Sequence, residues 1–177
     1  MGDTAALFRQ LREYLEARGF VTHALTFVPN DGKASLEELA RQVADFVEQT
    51  CAPDEQIDLI GFSMGGIVAR YYVQRLSGRN RVSRLITIGS PHRGTWTAML
   101  LGRAGVKQMR PGSAFLRDLN RDPCGFTSIW TPWDLMVIPA NSSVLPGART
   151  IRIHVAAHAM MVRDQRVLRG VGDALAD

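Results

Sequence analysis

The sequence predicts an α/β fold: a mostly parallel sheet with helices on both of its faces. Short β-branched runs alternate with stretches of helical apolar spacing, and parallel neighbours need crossover connections of that kind. A glycine-flanked serine stands at one strand-to-helix junction, at Gly61-Phe62-Ser63-Met64-Gly65. With 177 residues the chain has the length of one domain, expected to span residues 1–177, and it can bury most of the apolar surface an unfolded chain would expose.

The elements follow in order. Thr4 is placed to cap a first helix whose Leu7, Leu11 and Leu15 recur at helical spacing, and Gly19 ends it. Residues 20–28 read as a short strand. Pro29 to Gly32 form a loop, after which Ser35 and Glu38 make a capping-box pattern ahead of Leu36, Leu39, Val43, Phe46 and Val47. Ile57 to Phe62 is an apolar strand, Met64 to Leu76 a helix, and Val82 to Ile88 a β-branched strand. Residues 89–112 hold a possible short helix, and Ser113 to Leu119 reads as another. Phe126 to Thr131 and Thr150 to Val155 read as strands, and Val162 to Leu175 closes as a helix.

Composition is that of a folding chain, with 46% hydrophobic and 21% charged residues. The net charge of +4 is carried almost wholly by arginine, since Lys33 and Lys107 are the only lysines. The densest group, Arg75, Arg79, Arg81 and Arg84, has no interleaved aromatics and no nucleic-acid module around it. It reads as a solvated face, with an anionic partner as the alternative, and no nucleic-acid partner is expected. Cys51 and Cys124 form no metal motif and demand no disulfide framework. No apolar run is long enough to span a membrane, and Met1 is not followed by a basic segment and an apolar stretch. No integral membrane segment is expected, location stays open with the cytoplasm as the default, and a monomer is the default state.

A serine between a strand end and a helix start, flanked by glycines two positions away on each side, is the pattern of a nucleophile elbow. The strained turn brings strand and helix close, so Gly61 and Gly65 are expected to remove side chains that would collide. The amide of Met64, at the helix N-terminus, points where an oxyanion would form. A serine hydroxyl needs a histidine to take its proton and a carboxylate to orient that histidine, and with such elbows the chain order is Ser, acid, His. His23 precedes the serine, His92 leaves too little chain for an acid loop, and His154 lies inside the Thr150 to Val155 strand. His158, just past that strand, is the strongest base candidate, with helix capping or a buried polar role as its alternative. Asp134 follows the strand that ends at Thr131 and is the acid candidate, with an Asx turn as its alternative. Asp118 and Asp122 precede that strand, and Asp58 inside the elbow strand reads as structural.

Residues 57–72, Ile-Asp-Leu-Ile-Gly-Phe-Ser-Met-Gly-Gly-Ile-Val-Ala-Arg-Tyr-Tyr, together with Ile86-Thr87-Ile88-Gly89-Ser90-Pro91-His92-Arg93-Gly94-Thr95, Trp133-Asp134 and His158, resemble the small bacterial lipases and esterases of the α/β-hydrolase superfamily. The resemblance implies hydrolysis of carboxylic esters through an acyl-enzyme on Ser63, with Asp134 and His158 completing a triad and no metal or organic cofactor. The implied partner is a small-molecule or lipid ester. The stretch from Gly94 to Phe126 is too short for a large lid, which favours an open cleft for short to medium acyl esters over activation at a lipid interface. A thioesterase or acyltransferase would use the same triad, and an inactive hydrolase-like protein is the non-enzyme alternative. Relatives of this kind open with an apolar strand ending in His-Gly, whose loop supplies a second oxyanion amide. The start at Met1-Gly2-Asp3-Thr4 looks like the tail of that loop, so the chain is expected to lack this strand from the middle of its sheet.

Overall fold

The computed structural model describes residues 4–176. Strands β1 (Ile57–Phe62), β2 (Val82–Ile88), β3 (Thr127–Trp130) and β4 (Arg149–Arg152) form one sheet in that spatial order, and every neighbouring pair is parallel. Consecutive strands lie side by side, so each connection crosses back over a face, and all four carboxyl ends point the same way.

The two faces carry separate cores. On one, helix α3 (Leu36–Thr50) and helix α4 (Met64–Arg75) bury Leu36, Leu39, Val43, Ile67 and Tyr72. On the other, helix α2 (Arg9–Glu16) and helix α7 (Gln165–Ala176) bury Leu11, Leu15, Val167 and Leu168 against Ile86, Ile88 and Ile129. The alternation in the sequence therefore produces helices on both faces, as the pattern predicts. Helix α3 starts where the sequence says: Ser35 Oγ accepts the Glu38 amide, and the Glu38 carboxylate accepts the Ser35 amide.

The first helix is broken at Phe8, with helix α1 (Thr4–Leu7) preceding α2, and the side chain of Thr4, the expected cap, lies outside the described residues. Gly19 ends the segment at φ +87°. Between β2 and β3 lie only a short 3-10 turn (Trp96–Met99), α5 (Ala104–Gln108) and α6 (Ala114–Leu119), too little for a lid domain.

Three boundaries depart from the expected pattern. Residues 20–27 form no strand. A strand needs a ladder partner, and what faces this segment is a cavity of about 710 Å³ lined by Leu25, Phe27, Val43, Val47 and the length of β1. The last strand ends at Arg152, so His154 lies beyond it, exposed, with its ring 5.0 Å from that of Trp133. The closing helix begins at Gln165 because Asp164 Oδ1 accepts the Arg166 amide there, while Met161 and Val162 are buried in the turn before it.

The Ile57 and Ser63 amides donate to Arg81 and Ile88 on the β2 side. Backbone groups alternate in direction along a strand, so those of Asp58, Ile60 and Phe62 point the other way, toward the cavity. Among the described residues no strand lies on that side of β1. Leu59 and Ile60 are consequently half-buried, whereas Ile86 and Ile88 on β2 are fully buried.

Candidate active site

Three loops at the carboxyl ends of parallel strands carry the three candidate residues: Ser63 follows β1, Asp134 follows β3 and His158 follows β4. The sheet topology brings them to one edge although they are far apart in the chain.

Ser63 holds φ 54° and ψ −125°, and it is the one non-glycine residue with positive φ among the described residues. Its amide is tied to Ile88 O at 2.9 Å and its carbonyl accepts the Gly66 amide at 3.2 Å, so the turn is held from both sides. A Cβ on Gly61 would stand 2.5 Å from Gly66 Cα, which explains the first glycine of the pattern. The second glycine needs correction: at Gly65 a Cβ would meet only Phe27, at 3.9 Å. The crowded position is Gly66, where a Cβ would collide with the Ser90 side chain. Met64 begins α4, which sets its amide at the positive end of the helix dipole, beside Ser63.

His158 opens a short 3-10 turn, and its Nδ1 lies 2.7 Å from Asp134 Oδ2. Both side chains are nearly sealed from solvent, at 10% and 2% exposure. Nδ1–H donating to the carboxylate leaves Nε2 with a free lone pair, the tautomer a general base needs. The other oxygen of Asp134 accepts the amides of Met136 and Val137, each at 2.9 Å. Asp134 thus forms an Asx-type turn and orients the histidine at once; the two roles use different oxygens.

The imidazole of His158 packs 4.7 Å, centroid to centroid, from the ring of Phe62, the residue before Ser63. Gly89, at φ +55°, closes the other side, and a Cβ there would stand 3.2 Å from His158 Cε1. Sequence reasoning missed Gly89; its signal was a glycine ending the strand beside the elbow strand.

The remaining histidines and acids lie elsewhere. His92 is fully buried, with Nε2 2.9 Å from Thr87 Oγ1 and Nδ1 3.4 Å from the Arg70 guanidinium. Burial, and then the Arg70 charge, hold its pKa well below the usual histidine value. Arg70 is itself buried, with no carboxylate bonded to it among the described residues; it bonds to Asn120, Gln74 and the Leu119 carbonyl, and burial lowers its pKa to about 10. Asp58 pairs with Arg84, Asp118 with Arg75, and Asp122 with Arg79. The arginine group of residues 75–84 is therefore a solvated face laced with ion pairs.

A parallel sheet with helices on both faces and a strained serine at the end of β1 define the α/β-hydrolase class. Solved structures of that class agree: bromoperoxidase from Bacillus anthracis matches at TM-score 0.70 and 13% identity over 97% of this chain and 87% of that one. A Bacillus licheniformis lipase in its mature form matches at TM-score 0.62 and 15% identity over 82% and 74%. An extracellular α/β-hydrolase from a Paenibacillus species matches at TM-score 0.64 and 14% identity over 96% and 93%. Within the class, the model of the palmitoyl protein thioesterase family matches residues 1–133, and the chain belongs to that family.

Proposed function

We propose that the chain hydrolyses carboxylic acyl esters through an acyl-enzyme on Ser63. The observation that carries the reading is the sealed Asp134–His158 hydrogen bond, set against Phe62 beside the one strained serine. His158 Nε2 takes the hydroxyl proton as Ser63 Oγ attacks the carbonyl, and the Met64 amide receives the oxyanion. His158 returns the proton to the leaving group. Water, deprotonated by the same nitrogen, then attacks the acyl-serine and releases the acid.

The family match supports a second reading, in which a thiol takes the place of the alcohol as leaving group. A thiol leaves with less help from the acid, so the same residues serve both reactions.

Labelling with a fluorophosphonate and hydrolysis of p-nitrophenyl butyrate and butyryl-coenzyme A test the reading. The unmodified protein is expected to label at Ser63 and to turn over at least one substrate, with faster thioester cleavage supporting the thiol. Ser63→Ala is expected to lose both labelling and turnover. A folded Ser63→Ala protein that kept full turnover would overturn it.

A further inference from the structure

The rim of the candidate active site is unusually apolar for an exposed surface. Leu100 is 83% exposed and Leu135 76%, and Trp96, Trp133, Met136 and Met160 each expose half or more of their area. They belong to one continuous structure. The Trp96 amide donates to the Ile138 carbonyl at 2.8 Å, and Thr97 Oγ1 donates to the Met136 carbonyl at 2.7 Å. Trp133, Leu135 and Met136 flank Asp134 in the chain, and Met160 shares the 3-10 turn of His158. Patches of this kind, rimmed by polar residues, mark interaction surfaces.

Charge says what the surface fits. The sequence has no Asp or Glu between Asp58 and Asp118, and none between Asp134 and Asp164. Residues 93–103 and 135–138 lie inside those intervals, where Arg93, Lys107, Arg110 and Arg163 also fall, while Arg103 sits beside Asp31; the one acid of the rim segments, Asp134, is turned inward and only 2% exposed. Arg93 donates to the Asn141 carbonyl, and Arg110 donates to the carbonyls of Ala98 and Leu101. These are backbone acceptors, which leave the positive charge uncancelled. At the other arginine cluster carboxylates do cancel it, through Arg75–Asp118, Arg79–Asp122 and Arg84–Asp58. An apolar rim carrying two tryptophans, with the unpaired charge of Arg93 and Arg110 beside it, has the chemistry of the interface of an anionic bilayer.

We propose that residues 93–103 and 133–138, with Met160, form a docking surface for an anionic lipid bilayer, holding the Asp134–His158 side of the candidate site against the membrane. Among the described residues the surface stands on short loops, open to solvent. Docking needs no chemistry at Ser63, so it goes beyond the proposed hydrolysis and is tested apart from it.

The test is cosedimentation with vesicles of phosphatidylcholine plus phosphatidylserine, compared with phosphatidylcholine alone, at low and high salt. Binding is expected to the mixed vesicles, with a blue shift of tryptophan fluorescence, and to weaken with salt and without phosphatidylserine. The double variant Leu100→Ser/Leu135→Ser alters two exposed side chains, so it should melt with the parent and hydrolyse soluble ester as the parent does. Its vesicle affinity is expected to fall about a hundredfold, roughly tenfold for each leucine. Failure of the parent to bind, equal binding to both vesicles, or unchanged binding by the folded double variant would overturn the proposal. So would a rim that instead pairs two copies of the chain, seen as a dimer that the double variant dissociates and that ignores vesicles.

Discussion

Ser63 holds a backbone conformation that costs a non-glycine residue about 1 to 3 kcal/mol, and the cost is met by hydrogen bonds from β2 and α4 on either side of it. The pentapeptide and its place between a strand and a helix made that residue legible in the sequence. Asp134 and His158 were legible for a related reason: chain order and strand ends limit where an acid and a base can stand. Gly66 was not, because its constraint comes from Ser90, a residue distant in the chain that packing brings close. The division of labour at Asp134 predicts the outcome of Asp134→Asn. The carbonyl oxygen of the amide would keep the turn by accepting the Met136 and Val137 amides. Its NH₂ would then face Nδ1 and impose the tautomer protonated at Nε2. Ester turnover should fall about ten-thousandfold with little loss of stability. Turnover near that of the parent would argue against the proposed role.

Among the elements, α3, α4, β1 and β2 match the sequence pattern closely, because capping chemistry and apolar periodicity are local signals. The segment 20–27 does not, although its composition suits a strand. Strand formation is a property of a pair, and the cavity stands where the partner ladder would be. The same cavity leaves the backbone groups of Asp58, Ile60 and Phe62 without a ladder. Hydrogen exchange should therefore find these amides exchanging roughly tenfold or more faster than those of Leu59 and Gly61, which bond to β2. Equal protection along β1 would mean that the outward amides have a partner in solution.

For the whole molecule, stability depends on a buried polar network that composition does not reveal. His92, Thr87, Arg70, Gln74 and Asn120 join β2, α4 and the end of α6 beneath the loop that leaves the sheet after Gly89. The His92 pKa is depressed in the folded protein and ordinary in the unfolded one, so the unfolded state binds the proton more readily. Its contribution is fully present above about pH 6.5 and declines as the pH falls below that value, by up to about 1.4 kcal/mol per pH unit. Denaturant unfolding at several pH values should show that slope, and His92→Gln should flatten it. An unchanged slope in the variant would place the titration elsewhere. The sequence by itself determined the α/β class, the helices on both faces and the three candidate residues, because periodicity, capping and chain order act over short or ordered distances. Only the tertiary structure decided which glycine is crowded, that residues 20–27 lack a ladder, that His92 is locked beside Arg70, and that the exposed apolar segments around Trp96 and Trp133 are tied together next to Asp134. Each of those depends on contacts between segments far apart in the chain, which no local pattern encodes.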